Sequence, residues 1–240
     1  MISFKLIRLL LKYRFLNNLS FNVFMKSEFS FYSQSYSRNF VKIHGAENVI
    51  KLENEGAVLV FLHFGSFFLT GGALTNQLGI NYTAVASKRN LEFLSPNENS
   101  FWNKVHSISE NLYGNKLFYT DNYPRSMINW LNKGNFLGVA LDVNEKGINH
   151  KFSKFKLFNT NYNFQTAAYR LAEITNKKII AMLIFYDKKK FRHNLYLSHP
   201  FDVGNPNNCI QDCLNFMEPH MCKYKNQFFH DIDKCFRVHV

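Results

Sequence analysis

Acidic residues are scarce in this chain. Against 29 Lys and Arg stand only 17 Asp and Glu, a formal net charge of +12, and all four charged types together make up 19% of 240 residues. So low a charge density, beside 46% hydrophobic residues, excludes a solvated polyelectrolyte tail and leaves a chain able to bury one good-sized core. The positive balance favours a polyanionic partner: nucleic acid, anionic lipid or a phosphorylated carrier. No homeodomain, zinc-finger or RNP-like pattern is present and the basic residues are dispersed, so no specific nucleic acid is expected. Cysteine is also sparse. Cys209, Cys213, Cys222 and Cys235 all lie near the end, with no C-x2-C pair to combine with His220, His230 or His239, so reduced thiols are expected and no metal site. Repeats, low-complexity tracts and linkers are absent, which points to one domain. No apolar run approaches the ~20 residues that a spanning helix needs. A signal peptide does not fit either, because Arg8 and Lys12 interrupt the only apolar stretch near the start and no small-residue cleavage site follows.

Aromatics, by contrast, abound: 26 Phe and 12 Tyr. They suit an apolar ligand groove or a membrane-facing patch, and a compositionally biased genome would produce the same excess. The first piece, "MISFKLIRLLLKYRFLNN", Met1 to Asn18, carries Lys5, Arg8, Lys12 and Arg14 at helical spacing opposite Leu6, Leu9, Leu10 and Leu11. A basic amphipathic helix lying on a membrane surface fits this pattern, as does a helix packed on the domain with its cations in water. The remainder, residues 19–240, reads as the α/β domain.

Short β-branched or aromatic runs, "FVKIHG", "AVLVFLHF", "NYTAVAS", "NKLFYT", "FLGVALDV" and "KKIIAMLIFYD", alternate with the helix-length segments "GSFFLTGGALTNQLG", "NENSFWNKVHSISENLYG", "YPRSMINWLNKG" and "QTAAYRLAEITNK". Another helix is expected around Val23 to Tyr36. This alternation predicts a largely parallel sheet with helices on both faces. "VLVFLHF" and "FLGVAL" are continuously apolar and belong at its centre. Gly79, Gly114 and Gly134 stand where left-handed helix caps are expected, and Pro124 where a helix begins. A last helix from about Asn208 should break near Pro219.

In such a sheet, reactive groups gather at the carboxyl ends of strands. His63 ends one central strand and Asp142 another, so both are expected on one rim. A neutral His there could take a proton from an attacking hydroxyl or amine while backbone N–H groups at the helix start hold the oxyanion. The residues equally fit a buried histidine bonded to a carbonyl and an aspartate that caps a turn. Gly65 permits a tight turn after His63. Ser66 is expected to cap the following helix; Gly-x-Ser-x-Gly, the setting of a nucleophilic serine, is missing around it. Lys88 and Arg89 follow the strand "NYTAVAS" and would suit the phosphate of a phosphopantetheine or of an acceptor, or be two solvated charges. Arg125 is a weaker candidate, and Arg170 with Glu173 reads as an i, i+3 surface pair.

The ordered blocks "AVLVFLHFGSFFLTGGAL", "SKRN", "WLNKGNFLGVALDVNEKG" and "FQTAAYRLAEITNKKIIAMLIFYD" resemble those of the bacterial lipid A biosynthesis (late, lauroyl/myristoyl-type) acyltransferases, of the lysophospholipid acyltransferase superfamily, over about Val41 to Tyr224. The resemblance implies a glycerol-phosphate acyltransferase-like α/β fold, a cytoplasmic protein peripheral at the inner membrane face, and acyl carrier protein or CoA thioester as donor substrate, with no bound cofactor. It places the general base on His63, a basic residue on Arg89 and an acidic residue on Asp142. One position departs: the family carries Asp or Glu five residues after the histidine, and here that place is Phe68. A phenyl ring cannot orient an imidazole. Either Asp142 or Glu145 supplies the missing charge, or a backbone carbonyl holds the ring, or the protein binds acyl chains without transferring them. Gly65, Ser66, Phe68, Lys88, Arg89 and Glu145 are thus the candidate substrate-contacting set around His63 and Asp142. An acyltransferase acting on a lipid, glycolipid or specialised metabolite is the first expectation; a catalytically impaired acyl-binding or scaffolding protein of the same fold is the second.

Overall fold

Every residue of Ala57–Phe61 (β2) and Phe136–Ala140 (β5) is buried, as a continuously apolar strand requires if both its faces are covered. Successive side chains serve two cores. Leu59 and Phe61 pack into one, while Val58, Val60 and Leu62 pack into the other, the period of two that extended backbone imposes. The computed structural model describes residues 28–87, 95–120, 124–143, 151–229 and 232–238. Met1 to Asn18, the expected membrane-surface helix, lies outside them.

With Val41–His44 (β1), Tyr82–Ala86 (β3), Phe118–Tyr119 (β4), Lys178–Asp187 (β8) and Arg192–Leu197 (β9), the strands form one sheet in the order β1-β9-β8-β2-β5-β3-β4. All neighbours run parallel except β8 and β9. Helices cover both faces, as the alternation predicts. Against the first core lie Gln34–Phe40 (α1), Ala46–Ile50 (α2), Leu69–Leu78 (α3) and Pro96–Tyr113 (α4). Against the second lie Pro124–Asn132 (α5), Ala167–Thr175 (α6) and Pro206–Met221 (α7), with a hairpin of Phe152–Leu157 (β6) and Thr160–Gln165 (β7). A short helix, Ile232–Phe236 (α8), follows. Gly79 and Gly114 close α3 and α4 in the left-handed region, φ +71° and +70°.

Several expected elements are corrected. In the described part of Val23 to Tyr36 the chain makes a 3-10 turn at Phe29–Phe31, and α1 begins only at Gln34, where the Ser33 hydroxyl accepts the Tyr36 amide at 3.1 Å. The helix expected from Asn208 starts at Pro206 and runs through Pro219, which stands in its last turn. The hairpin was not legible because its two-residue turn, Phe158 and Asn159 with φ +51° and +59°, lacks the glycine that usually marks such a turn.

Candidate functional site

Register brings the two rim residues together. In the parallel pairing of β2 and β5, Phe61 stands opposite Ala140. His63 and Asp142 each come two residues after that last pair, just past the ends of the two strands. The His63 Nδ1 lies 2.9 Å from Asp142 Oδ1, and the two carboxylate oxygens accept the His63 backbone N–H at 3.0 and 2.9 Å. Asp142 is buried, 2% exposed, whereas the His63 side chain keeps 21% of its surface. A carboxylate on Nδ1 favours the tautomer with the proton on that nitrogen, which leaves the lone pair on Nε2.

The turn after His63 is fastened from several sides. Gly65 has φ +59°, and a Cβ there would stand 2.1 Å from the Ile184 carbonyl oxygen, so only glycine fits so close to β8. Its amide donates to the Gln227 carbonyl at 2.9 Å, and the Gln227 side chain bonds both the amide and the carbonyl of Tyr186 at 2.8 Å. The Phe64 amide donates to Leu62 at 2.6 Å and the Phe229 amide to the His63 carbonyl at 2.9 Å. The amides of Phe64 and Gly65 are therefore both committed within the fold. Aromatic rings surround the imidazole: Phe67 edge-on at 4.7 Å between centroids, Phe61 at 6.1 Å and Phe229 at 6.4 Å.

Phe68 occupies an aromatic nest, its ring 3.9 Å from Phe67, 5.0 Å from Phe29 and 5.9 Å from Trp102. Its carbonyl accepts the Tyr113 hydroxyl at 3.0 Å. Ser66 does not cap α3, which begins at Leu69 without a side-chain cap. It is fully buried, and its hydroxyl donates to Glu28 Oε2, the acid behind the turn, at 3.1 Å. Its surface is closed to substrate. Lys88, Arg89 and Glu145 lie outside the described residues. Arg125 is exposed on α5, and Arg170 pairs with Glu173 on α6 as the i, i+3 spacing suggests.

Sequence reasoning missed Glu28 and His193. Both are fully buried, with His193 Nε2 2.7 Å from Glu28 Oε1, and Glu28 also accepts the hydroxyls of Tyr36 at 2.5 Å and Tyr32 at 3.0 Å. Burial pushes the Glu28 carboxyl up, but the charge of His193 and the hydrogen bonds from His193, Tyr36 and Tyr32 outweigh it and hold the group below its ordinary value. Burial and the neighbouring Glu28 charge push both tyrosines well up. The scarcity of acids was the one available signal: an acid inside the aromatic stretch "SEFSFY" needs a partner.

Cys209 and Cys213 are buried on α7, and Cys222 and Cys235 are exposed thiols. Among the described residues no cluster of His, Cys, Asp and Glu is placed to hold a metal, and no helix is long and apolar enough to cross a membrane.

No curated protein matches the chain. Among solved structures, the 1-acyl-sn-glycerophosphate acyltransferase PlsC from Thermotoga maritima is similar, with 12% identity, 85% of this chain and 81% of that chain covered, and a TM-score of 0.44. The sequence profile described as bacterial lipid A biosynthesis acyltransferase matches residues 14–227, which include β2, β5 and the whole of the His63 turn. Over that span, most of its length, the chain belongs to the bacterial lipid A biosynthesis acyltransferase family.

Proposed function

We propose that the protein transfers an acyl group from an acyl carrier protein or CoA thioester to a hydroxyl or amine of a lipid, glycolipid or specialised metabolite, with His63 as general base. The observation that carries this reading is the 2.9 Å contact between His63 Nδ1 and Asp142. Asp142 does for the imidazole what the carboxylate absent at Phe68 would do. It fixes the ring and compensates the charge the ring acquires when Nε2 takes a proton. The acceptor oxygen or nitrogen then attacks the thioester carbonyl, the new C–O or C–N bond forms and the C–S bond breaks. The proton on Nε2 passes to the departing sulfur. Phe61, Phe67 and Phe229 around the ring keep water from competing with the acceptor.

A place at the inner membrane face is supported by the basic amphipathic pattern of Met1 to Asn18 and the net charge of +12. Lys88, Arg89 and Glu145 remain candidate contacts for the donor or acceptor. The aromatic setting of Phe68 favours a second reading, an acyl-binding protein without turnover. Thiol release from acyl-CoA and from acyl carrier protein, followed with and without a lipid acceptor, separates the two. Acceptor-dependent release with either donor is expected, and tight donor binding without any release overturns the enzyme reading.

A further inference from the structure

An open groove of about 510 Å³ shares Phe229 with the rings around the candidate base and is lined further by Phe158, Lys225, Phe228, Asp233 and Arg237. That volume falls in the ordinary range for small-ligand sites. Phe228, Phe229, Ile232, Asp233 and Arg237 of its wall lie after the span that the family profile matches. The wall is built into the fold. Phe228 bridges Phe64 in the His63 turn, Arg237 bridges Tyr162 of β7, and the Tyr162 hydroxyl donates to Asp233 at 2.7 Å. Burial first, and then that bond to Asp233, push the Tyr162 hydroxyl up to about 12, so it remains a donor at neutral pH.

Phe229 links the groove to the chemistry. It lines the groove, its ring stands 6.4 Å from the His63 ring, and its amide is bonded to the His63 carbonyl. The Lys225 ammonium lies 4.8 Å over the Phe158 ring, and Arg237 is exposed on the same wall. Among the described residues of the wall, two cations stand against the acid Asp233, which Tyr162 already engages, and leave a positive excess. A polar, solvent-open groove of this kind suits a flexible arm carrying amides and an anion better than it suits a bare acyl chain, which would need enclosure.

We infer that this groove holds the phosphopantetheine arm of the thioester donor, with its phosphodiester against Lys225 and Arg237 and its sulfur end directed past Phe229 toward His63. The inference rests on the acyl-transfer reading, but binding tests it separately. Calorimetric titration of the full chain with 4′-phosphopantetheine and with unphosphorylated pantetheine is the experiment. The phosphorylated arm is expected to bind at least about tenfold more tightly, the scale of one or two charge-assisted contacts. The K225A/R237A variant should lose that preference while keeping its affinity for pantetheine, and H63A should bind both like wild type. Both cations are exposed, so unfolding midpoints should not change. Equal binding of the two arms to wild type, a phosphate preference that survives K225A/R237A, inorganic phosphate binding without any for pantetheine, or no binding at millimolar concentration overturns the inference. Intact arm binding in a protein that releases no thiol would sink the acyl-transfer reading and leave the groove standing.

Discussion

Replacing Asp142 by Asn changes one atom type and removes one charge. The carboxylate is buried and its oxygens face two donors of the same residue, the His63 amide at 2.9 and 3.0 Å and Nδ1 at 2.9 Å. An amide has one accepting oxygen, so it can be placed in two ways. With its oxygen toward Nδ1, that oxygen still reaches the His63 amide, but the NH2 group stands against the same N–H. That donor-to-donor contact costs about 1–3 kcal/mol. With the NH2 group toward Nδ1, the imidazole must accept there and carry its proton on Nε2, which removes the base. Either placement also lacks the charge that compensates the protonated ring. The equivalent change in a serine-protease triad lowers turnover about 10⁴-fold, roughly 5.5 kcal/mol of barrier, and a loss of that order is expected here. The assay is initial rate of acyl transfer from a saturating thioester donor, with KM determined alongside. The loss should fall on kcat, and the unfolding midpoint should drop by no more than about 10 °C for a chain of this length. D142N retaining turnover within tenfold of wild type would mean that Asp142 does not support the base.

Phe68→Glu restores the acid that the family carries, yet it sets a carboxylate in a half-buried place among Phe29, Phe67 and Trp102. A destabilisation of about 2–4 kcal/mol in urea unfolding and no gain in turnover are expected, because Nδ1 is already held by Asp142; a faster enzyme would show that the dyad is incomplete. Gly65→Ala forces a Cβ to 2.1 Å from the Ile184 carbonyl oxygen at φ +59° and should cost about 2–4 kcal/mol, read by thermal unfolding. An unchanged midpoint would mean that the turn can move. Glu28→Gln breaks a fully buried pair with His193, for an expected loss of about 3 kcal/mol near neutral pH. Because the folded carboxyl is held below its ordinary value, its contribution is present above about pH 4.5 and fades as pH falls through the folded value. Wild-type and Glu28→Gln urea midpoints should therefore converge on acidification, and a constant gap would contradict that origin.

Strand order of chemistry was legible because β2 and β5 are uninterrupted apolar runs, each ending on an ionisable residue, and a parallel sheet brings such ends to one rim. The pairing of His63 with Asp142 was foreseen only as one of two carboxylate choices. Which residues of neighbouring strands stand opposite depends on register, and register follows from how both faces pack rather than from either strand alone. Glu28 and His193 lie far apart in sequence and meet only when β9 joins β8 antiparallel, a pairing no local signal marks. The β6–β7 hairpin hid for a local reason: Phe158 occupies a positive-φ turn position that glycine or asparagine would have announced.

Whether His63 is the base is read from the acyl-transfer rate of H63A beside wild type, with the two proteins shown to share an unfolding midpoint. Ala at this position leaves the backbone amide that Asp142 accepts and removes only the imidazole. A fall of at least about 10³-fold, the scale of a positioned general base, is expected; transfer at the wild-type rate would mean that another group takes the proton.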